Sequence, residues 1–358
     1  MDRATVEHYD HRGGEWAATH ALPHCRAEAT AFAERVAPGA FRLDVGCGAG
    51  RYLPFLGSPT LALDASTTMI EACRERAPGA LFVRGDLEHL PFAAGSIGGA
   101  WSWMTHLHVP RHRMPLALWD LHRVLSVGSP FVVQVHDDGY EGDHRPGDRI
   151  AGRFFAGWSA GQLVDVVVGA GFRIDEASVV VSGDELRLRA VRARSLADTV
   201  GPGMRLLVCG VNPSWFSADA GVGYARPGNR FWSAALAAGI VDADRDAVAA
   251  LTASGVGMTD FVKRPTRTAA EVTSDEYRAG FARVERLVEW LRPGAVCFTG
   301  LSGWRDVVNP KAVAGLQPEA IGGRPAYVMP STSGLNARTS LAELADHLRA
   351  AWRIGSTP

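Results

Sequence analysis

The chain has 358 residues, 47% of them hydrophobic, and its 37 lysines and arginines nearly balance 38 aspartates and glutamates. That length points to two globular domains, each with enough apolar residues for its own core. No apolar run approaches the roughly 20 residues that span a bilayer, the N-terminus has no signal-peptide hydrophobic region, and the five cysteines lack metal-ligand spacing.

Strand-like runs are expected at 41–45, 60–63, 81–83, 99–104 and 130–135, with helical patterns between them at 68–76 and 116–125. After a helical stretch at 159–169 come two runs with no helix between them, 173–181 and 185–192. The Ser182-Gly183-Asp184 turn joins them as a hairpin. Five β-α units closed by a hairpin predict a doubly wound, mostly parallel sheet with an antiparallel edge. Asp198-Thr199-Val200-Gly201-Pro202-Gly203 interrupts the pattern, which sets the expected domains at 1–200 and 201–358. In the second half, strands are expected at 205–210, 295–300 and 326–329, and helices at 231–238, 274–291 and 341–352. Residues 201–358 hold 17 basic against 14 acidic side chains and residues 1–200 hold 20 against 24, an asymmetry that suits a polyanionic partner of the second half.

The stretch FRLDVGCGAGRYLPFL places Gly46, Gly48 and Gly50 between a strand and a helix, where the backbone can approach a ligand closely. Asp64 ends the second strand, where a carboxylate can accept ribose hydroxyls, and Asp86 ends the third. The layout over about residues 30–192 resembles the class I S-adenosylmethionine-dependent methyltransferases, whose D-x-G-C-G-x-G motif it carries. The resemblance implies a Rossmann-like sheet with a terminal hairpin and S-adenosylmethionine as cofactor. It also implies cofactor contacts from Asp44, Gly46, Cys47, Gly48, Asp64 and Asp86. His106, His108 and Trp103 follow the fourth strand, on the rim where such enzymes meet their substrate.

The second half opens with GVNPSWFSADAGVGYARPGNRFW directly after an apolar run, and continues with GVGMTDFVKRPTRTAAEV and MPSTSGLNARTS. These three blocks resemble, in order and spacing, the mismatch-specific uracil/thymine DNA glycosylases of the uracil-DNA glycosylase superfamily. The resemblance implies a three-layer α/β/α domain that flips a mismatched pyrimidine out of the duplex and hydrolyses its glycosidic bond, with no metal or cofactor. It makes Asn212 the catalytic residue, holding a water against the sugar carbon. An amide is a weak base, so modest turnover is expected. Gly210, Val211, Ser217, Tyr224 and Asn229 form the base pocket by the same resemblance, with Tyr224 stacking on the flipped base. Ser331, Thr332, Ser333, Gly334, Leu335, Asn336 and Arg338 form the DNA-binding loop, in which Leu335 is suited to wedge into the vacated stack. Ser214-Trp215-Phe216 departs from the family's Gly-Leu-Ser type of segment and reshapes the pocket mouth.

The expected protein is therefore a cytoplasmic, nucleoid-associated monomer. It acts on double-stranded DNA containing mismatched or damaged pyrimidines and binds S-adenosylmethionine, without membrane or metal partners. The alternative is a methyltransferase targeted to DNA by a glycosylase-like module that binds damage without cleaving.

Overall fold

The computed structural model describes residues 1–19, 25–148 and 152–356. They fall into two compact units, Met1–Val168 with Phe172–Ala193, and Gly169–Gly171 with Arg194–Pro358.

The first unit begins with helices α1 (Arg3–Thr19) and α2 (Arg26–Arg35), which lie outside the expected strand-helix alternation. Then come β1 (Arg42–Val45), α3 (Leu53–Leu56), β2 (Thr60–Asp64), α4 (Thr67–Arg76), β3 (Leu81–Arg84), β4 (Gly99–Trp103), α5 (Met114–Val124) and β5 (Pro130–His136). A short ribbon, β6 (Glu141–Gly142) with β7 (Phe155–Ala156), precedes α6 (Ala160–Gly169), β8 (Phe172–Ser182) and β9 (Glu185–Arg192). The sheet order is β3-β2-β1-β4-β5-β9-β8. The first five strands pair in parallel, and β9 joins β5 and β8 antiparallel. Every residue of β1, β2, β4 and β5 is buried, as in central strands of a parallel sheet covered on both faces. The chain leaves β1 outward to β2 and β3, then returns to β4 on the other side, which opens a crevice at the carboxyl ends of β1 and β4.

The second unit runs β10 (Leu206–Gly210), α7 (Trp215–Ala220), α8 (Phe231–Ala238), α9 (Ala247–Ser254), β11 (Val256–Asp260) and α10 (Ser274–Leu291). It continues with β12 (Ala295–Thr299), α11 (Ser302–Val307), β13 (Gly315–Leu316), β14 (Ala326–Met329) and α12 (Leu341–Ile354). The sheet order is β11-β10-β12-β14-β13, parallel except for the two-residue β13.

Side chains alternate across a strand, so each strand feeds two cores. Leu206, Val208, Met258, Cys297 and Met329 pack against α8 and α12. On the other face Phe298 stacks on Phe261 at 5.1 Å and meets Trp304 of α11 at 4.8 Å, with Phe281 of α10 beyond. Helices thus cover both faces. Capping boxes, Thr273 with Glu276 and Ser340 with Glu343, start α10 and α12.

The fold class expected from the sequence is the one observed in both units. Residues ahead of β10 are tied into the second unit, where Thr199 bridges Met258 antiparallel. Asp198 accepts from Lys263 Nζ at 2.7 Å, Thr259 Oγ1 at 2.8 Å and Arg283 Nη1 at 2.8 Å. Burial alone would raise the Asp198 pKa, but the Arg283 and Lys263 charges outweigh it and hold the carboxyl below its ordinary value.

Candidate functional site

In the first unit the turn after β1 is built on glycine. Gly46 has φ +68°, and a Cβ there would stand 2.0 Å from Thr105 Cγ2. Asp44, Gly46, Cys47, Gly48 and Asp64 are brought together around one cleft of about 90 Å³, joined by Tyr9 and Trp16 of α1, Trp103 and His108. Asp64 is fixed by backbone amides, accepting from Gly48 N at 2.9 Å and Ser66 N at 2.9 Å. Burial raises its pKa and those amides pull it back. Asp44 has no such relief: its Oδ2 is buried without a partner, and burial, with Asp64 beside it, pushes its pKa up to about 8.

Two buried carboxyls side by side, one of them with an unpartnered oxygen, fit a ligand that brings hydroxyls and positive charge, as S-adenosylmethionine does. Asp86 stands apart from the cleft lining, although its neighbours Gly85 and Leu87 belong to it. Its Oδ1 accepts from the Met1 ammonium at 2.8 Å and from Glu88 N at 3.0 Å. The two rim histidines are packed inward. His106 Nδ1 pairs with Ser102 Oγ at 2.5 Å and His108 Nδ1 with Phe154 O at 2.6 Å, and burial lowers both pKa values to about 4.

In the second unit a cleft of about 430 Å³ opens at the carboxyl ends of β10, β11 and β12, where doubly wound sheets present their ligand sites. Gly210, Val211, Asn212, Ser217, Tyr224 and Asn229 all line it, with Thr299 and Asp260. Asn212 is pinned. Its Nδ2 donates to Arg264 O at 2.9 Å and to Thr266 Oγ1 at 2.7 Å. A backbone carbonyl only accepts, so the partner at Arg264 fixes which end of the amide is nitrogen. Thr266 Oγ1 in turn donates to Thr268 O at 2.8 Å, so it can only accept from Asn212. Both amide hydrogens are thereby held, and Oδ1 is the end left to the cleft.

Tyr224 adopts a left-handed backbone, φ +58°, which carries its ring onto Phe231 in a stack 4.2 Å between centroids. Its hydroxyl pairs with Thr299 Oγ1 at 2.9 Å, and burial holds the phenol well above its ordinary pKa. Ser217 is buried behind the mouth, with its N–H donating to Ser214 Oγ at 3.1 Å. Asn229 Oδ1 accepts from Phe231 N at 3.0 Å and so starts α8.

The 331–338 loop forms one edge of this cleft through Ser331, Thr332, Ser333, Leu335 and Asn336. Leu335 is 83% exposed, the most exposed large apolar side chain among the described residues. Asn336 is turned into its own loop, its Nδ2 donating to Ser331 O at 2.8 Å and Thr339 Oγ1 at 3.1 Å. Gly334 approaches Gly228 so closely that a Cβ would lie 2.8 Å from the Gly228 oxygen. Arg338 is exposed, and its side chain has no hydrogen-bond partner among the described residues.

Residues 197–354 match the family model described as the uracil DNA glycosylase superfamily. The second unit carries a uracil DNA glycosylase superfamily domain. Residues 43–133 match the model described as a methyltransferase domain, so the first unit carries a methyltransferase domain with its Rossmann-like sheet. Among solved structures, the chain is similar to the methyltransferase bound to the Trm112 methyltransferase activator of Haloferax volcanii. That pair is 19% identical, covering 53% of this chain and 97% of the other with a TM-score of 0.41. It is also similar to S-adenosylmethionine-dependent methyltransferases from Mesorhizobium loti (20% identical, 46% and 96% covered, TM-score 0.39) and Aquifex aeolicus (18%, 54% and 100%, TM-score 0.39).

In the glycosylase-superfamily domain, five further residues belong to the site although sequence motifs did not single them out. Thr266 orients Asn212. Arg230 clips the 331–338 loop in place, its Nη1 donating to Thr339 O at 2.6 Å and Nη2 to Asn336 O at 2.6 Å. Arg226 and Arg267 stand exposed on the cleft lining, their side chains without hydrogen-bond or ion-pair partners among the described residues, giving it a positive rim. Asp260 is the fifth. Among the described residues no cluster of three or more His, Cys, Asp or Glu is placed to hold a metal, and no helix is long and apolar enough to cross a membrane.

Proposed function

We propose that the second domain is a mismatch-specific DNA glycosylase that removes uracil opposite guanine, and that the first binds S-adenosylmethionine and transfers its methyl group to an acceptor. The observation that carries the glycosylase reading is the pinned Asn212 amide. A module that only binds has no need to fix an amide with its oxygen toward the cleft. That oxygen accepts from a water and holds it against the sugar carbon. As the carbon–nitrogen bond to the base breaks, the water oxygen bonds to the carbon and a water proton ends on the departing base. Tyr224 supplies the stacking face for the extruded base, Leu335 fills the gap left in the duplex, and Arg226, Arg267 and Arg338 face the phosphates. In the first domain the cofactor supplies the electrophilic methyl group. Asp64 would hold its ribose hydroxyls, Asp44 would meet its positive charge, and the 46–48 backbone would allow close approach.

The test is incubation with duplexes containing G·U, G·T and A·U pairs, followed by alkali to reveal abasic sites. The wild-type chain is expected to open G·U most readily. Asn212→Ala is expected to lose uracil release while retaining mismatch binding, because the duplex contacts lie elsewhere. Full excision by Asn212→Ala removes this residue from the mechanism. Tight mismatch binding by the wild type with no excision favours the non-cleaving reading.

A further inference from the structure

Asp260 ends β11 in register with Gly210 of β10. Gly210 is glycine for a steric reason, since a Cβ there would lie 2.3 Å from Asp260 Oδ1 and 3.1 Å from the Tyr224 hydroxyl. The missing side chain leaves a slot, and the Asp260 carboxyl fills it. Paired residues of parallel strands share a face, so the carboxyl stands on the side of the sheet that Gly210, Tyr224 and Thr299 occupy at the cleft floor. The residue is 8% exposed, and its side chain has no hydrogen-bond partner among the described residues. The cations that could neutralise it, Lys263 and Arg283, are each bonded to Asp198. A carboxyl this deep, aimed into a cleft and left without donors, is one of the costliest groups a fold can keep without a use.

We propose that Asp260 reads the extruded base, acting as a neutral carboxyl that donates one hydrogen bond to the base and accepts one from it. This rests on the glycosylase reading. The imide edge of uracil offers an N–H donor beside a carbonyl acceptor, and a neutral carboxyl is its complement, with one O–H and one C=O. An ionised carboxylate would only accept, and it would face the negative charge that gathers on the departing base in a cleft cleared of water.

The groups around Asp260 agree with the neutral form. The Tyr224 hydroxyl shares its face of the sheet, while Cys209 of β10, Asp198 ahead of β10, Lys263 beyond β11 and Arg283 of α10 act on it electrostatically. Burial raises its pKa to about 6, with Lys263 and Arg283 opposing and Asp198 adding. A base entering the cleft displaces water and pushes it higher.

The experiment measures two quantities on the full chain across roughly pH 5.5 to 8.5, a span that brackets the titration. One is single-turnover uracil release from a G·U duplex. The other is affinity for the same duplex carrying 2′-fluoroarabino-uridine, whose glycosidic bond resists cleavage. For the wild type, release and affinity should both fall with rising pH, by up to about tenfold per unit above the titration point. Asp260→Asn, which keeps the shape and offers a donor and an acceptor at every pH, should be active with a flat profile. Asp260→Ala should be weak throughout.

A wild-type rate that climbs with pH, or an Asp260→Asn profile parallel to the wild type, overturns the proposal. A wild type that releases no uracil yet binds the fluorinated duplex with the stated pH dependence, which Asp260→Asn lacks, supports the Asp260 assignment and removes the hydrolytic reading instead.

Discussion

Shortening Leu335 to alanine should slow uracil release from duplex DNA by about thirtyfold and leave release from single strands almost untouched. Leu335 is 83% exposed in the free chain, so nearly all of its apolar surface is available to be buried in a vacated stack. Leu→Ala removes three carbons at about 0.8 kcal/mol each when buried, and scaling by the exposed fraction leaves about 2 kcal/mol of lost stabilisation. At about 1.4 kcal/mol per tenfold, that is roughly a thirtyfold slower duplex reaction. The side chain supports no core, so thermal stability should change by less than about 0.5 kcal/mol. The assay is single-turnover release from a G·U duplex and from the matching single strand, where no stack has to be refilled. Salt should weaken both proteins alike, because phosphate contacts are unaltered. Equal slowing on both substrates would refute the argument and make Leu335 a pocket or folding residue.

Two further outcomes concern the methyltransferase domain. Asp64→Ala in the full chain should weaken S-adenosylmethionine binding by about 1–3 kcal/mol by titration calorimetry, through loss of hydrogen bonds to a charged group; equal affinity would place the ribose elsewhere. Asp44 has a folded pKa of about 8, raised by burial, against an ordinary 3.8 when unfolded. The native state therefore holds the extra proton between these values, and stability should decline as pH rises from about 4 to 8. Asp44→Asn should flatten that decline in the melting temperature of this domain, and an unchanged slope would count against a protonated Asp44.

Much of both sites was legible because their motifs are local. A strand running into Gly-x-Gly, or into Gly-x-Asn-Pro, positions its own backbone, so Asp44, Gly46, Cys47, Gly48, Gly210 and Asn212 share clefts as short-range spacing implies. What the sequence hid depends on register. Asp260 matters because parallel pairing sets it opposite Gly210, and Thr266 because the chain leaving β11 runs beside the Asn212 turn. Neither relation leaves a periodic trace. Helix α1 was missed because it is polar nearly all round, with charged and small residues breaking any apolar stripe. Asp86 was expected to end the third strand, yet that strand stops at Arg84, and the Asp86 carboxylate, paired with the Met1 ammonium, stands outside the cleft lining. Asn336 looked free to meet DNA in a loop sequence, whereas three hydrogen bonds commit it to shaping that loop.

Arg230 joins two segments about a hundred residues apart in the chain: its guanidinium holds the loop that bears Leu335, and it follows directly on the segment that carries Tyr224. Loop and pocket wall are thus mounted on one frame, like the jaws of a caliper. On the proposed glycosylase reading, a tool of fixed span would not adapt to the duplex, so the duplex would have to deform to it. A weakly held pair would yield to that span and a firmly stacked one would spring back. Discrimination of this kind would start before any base edge is touched, as a measurement of how stiff each pair is.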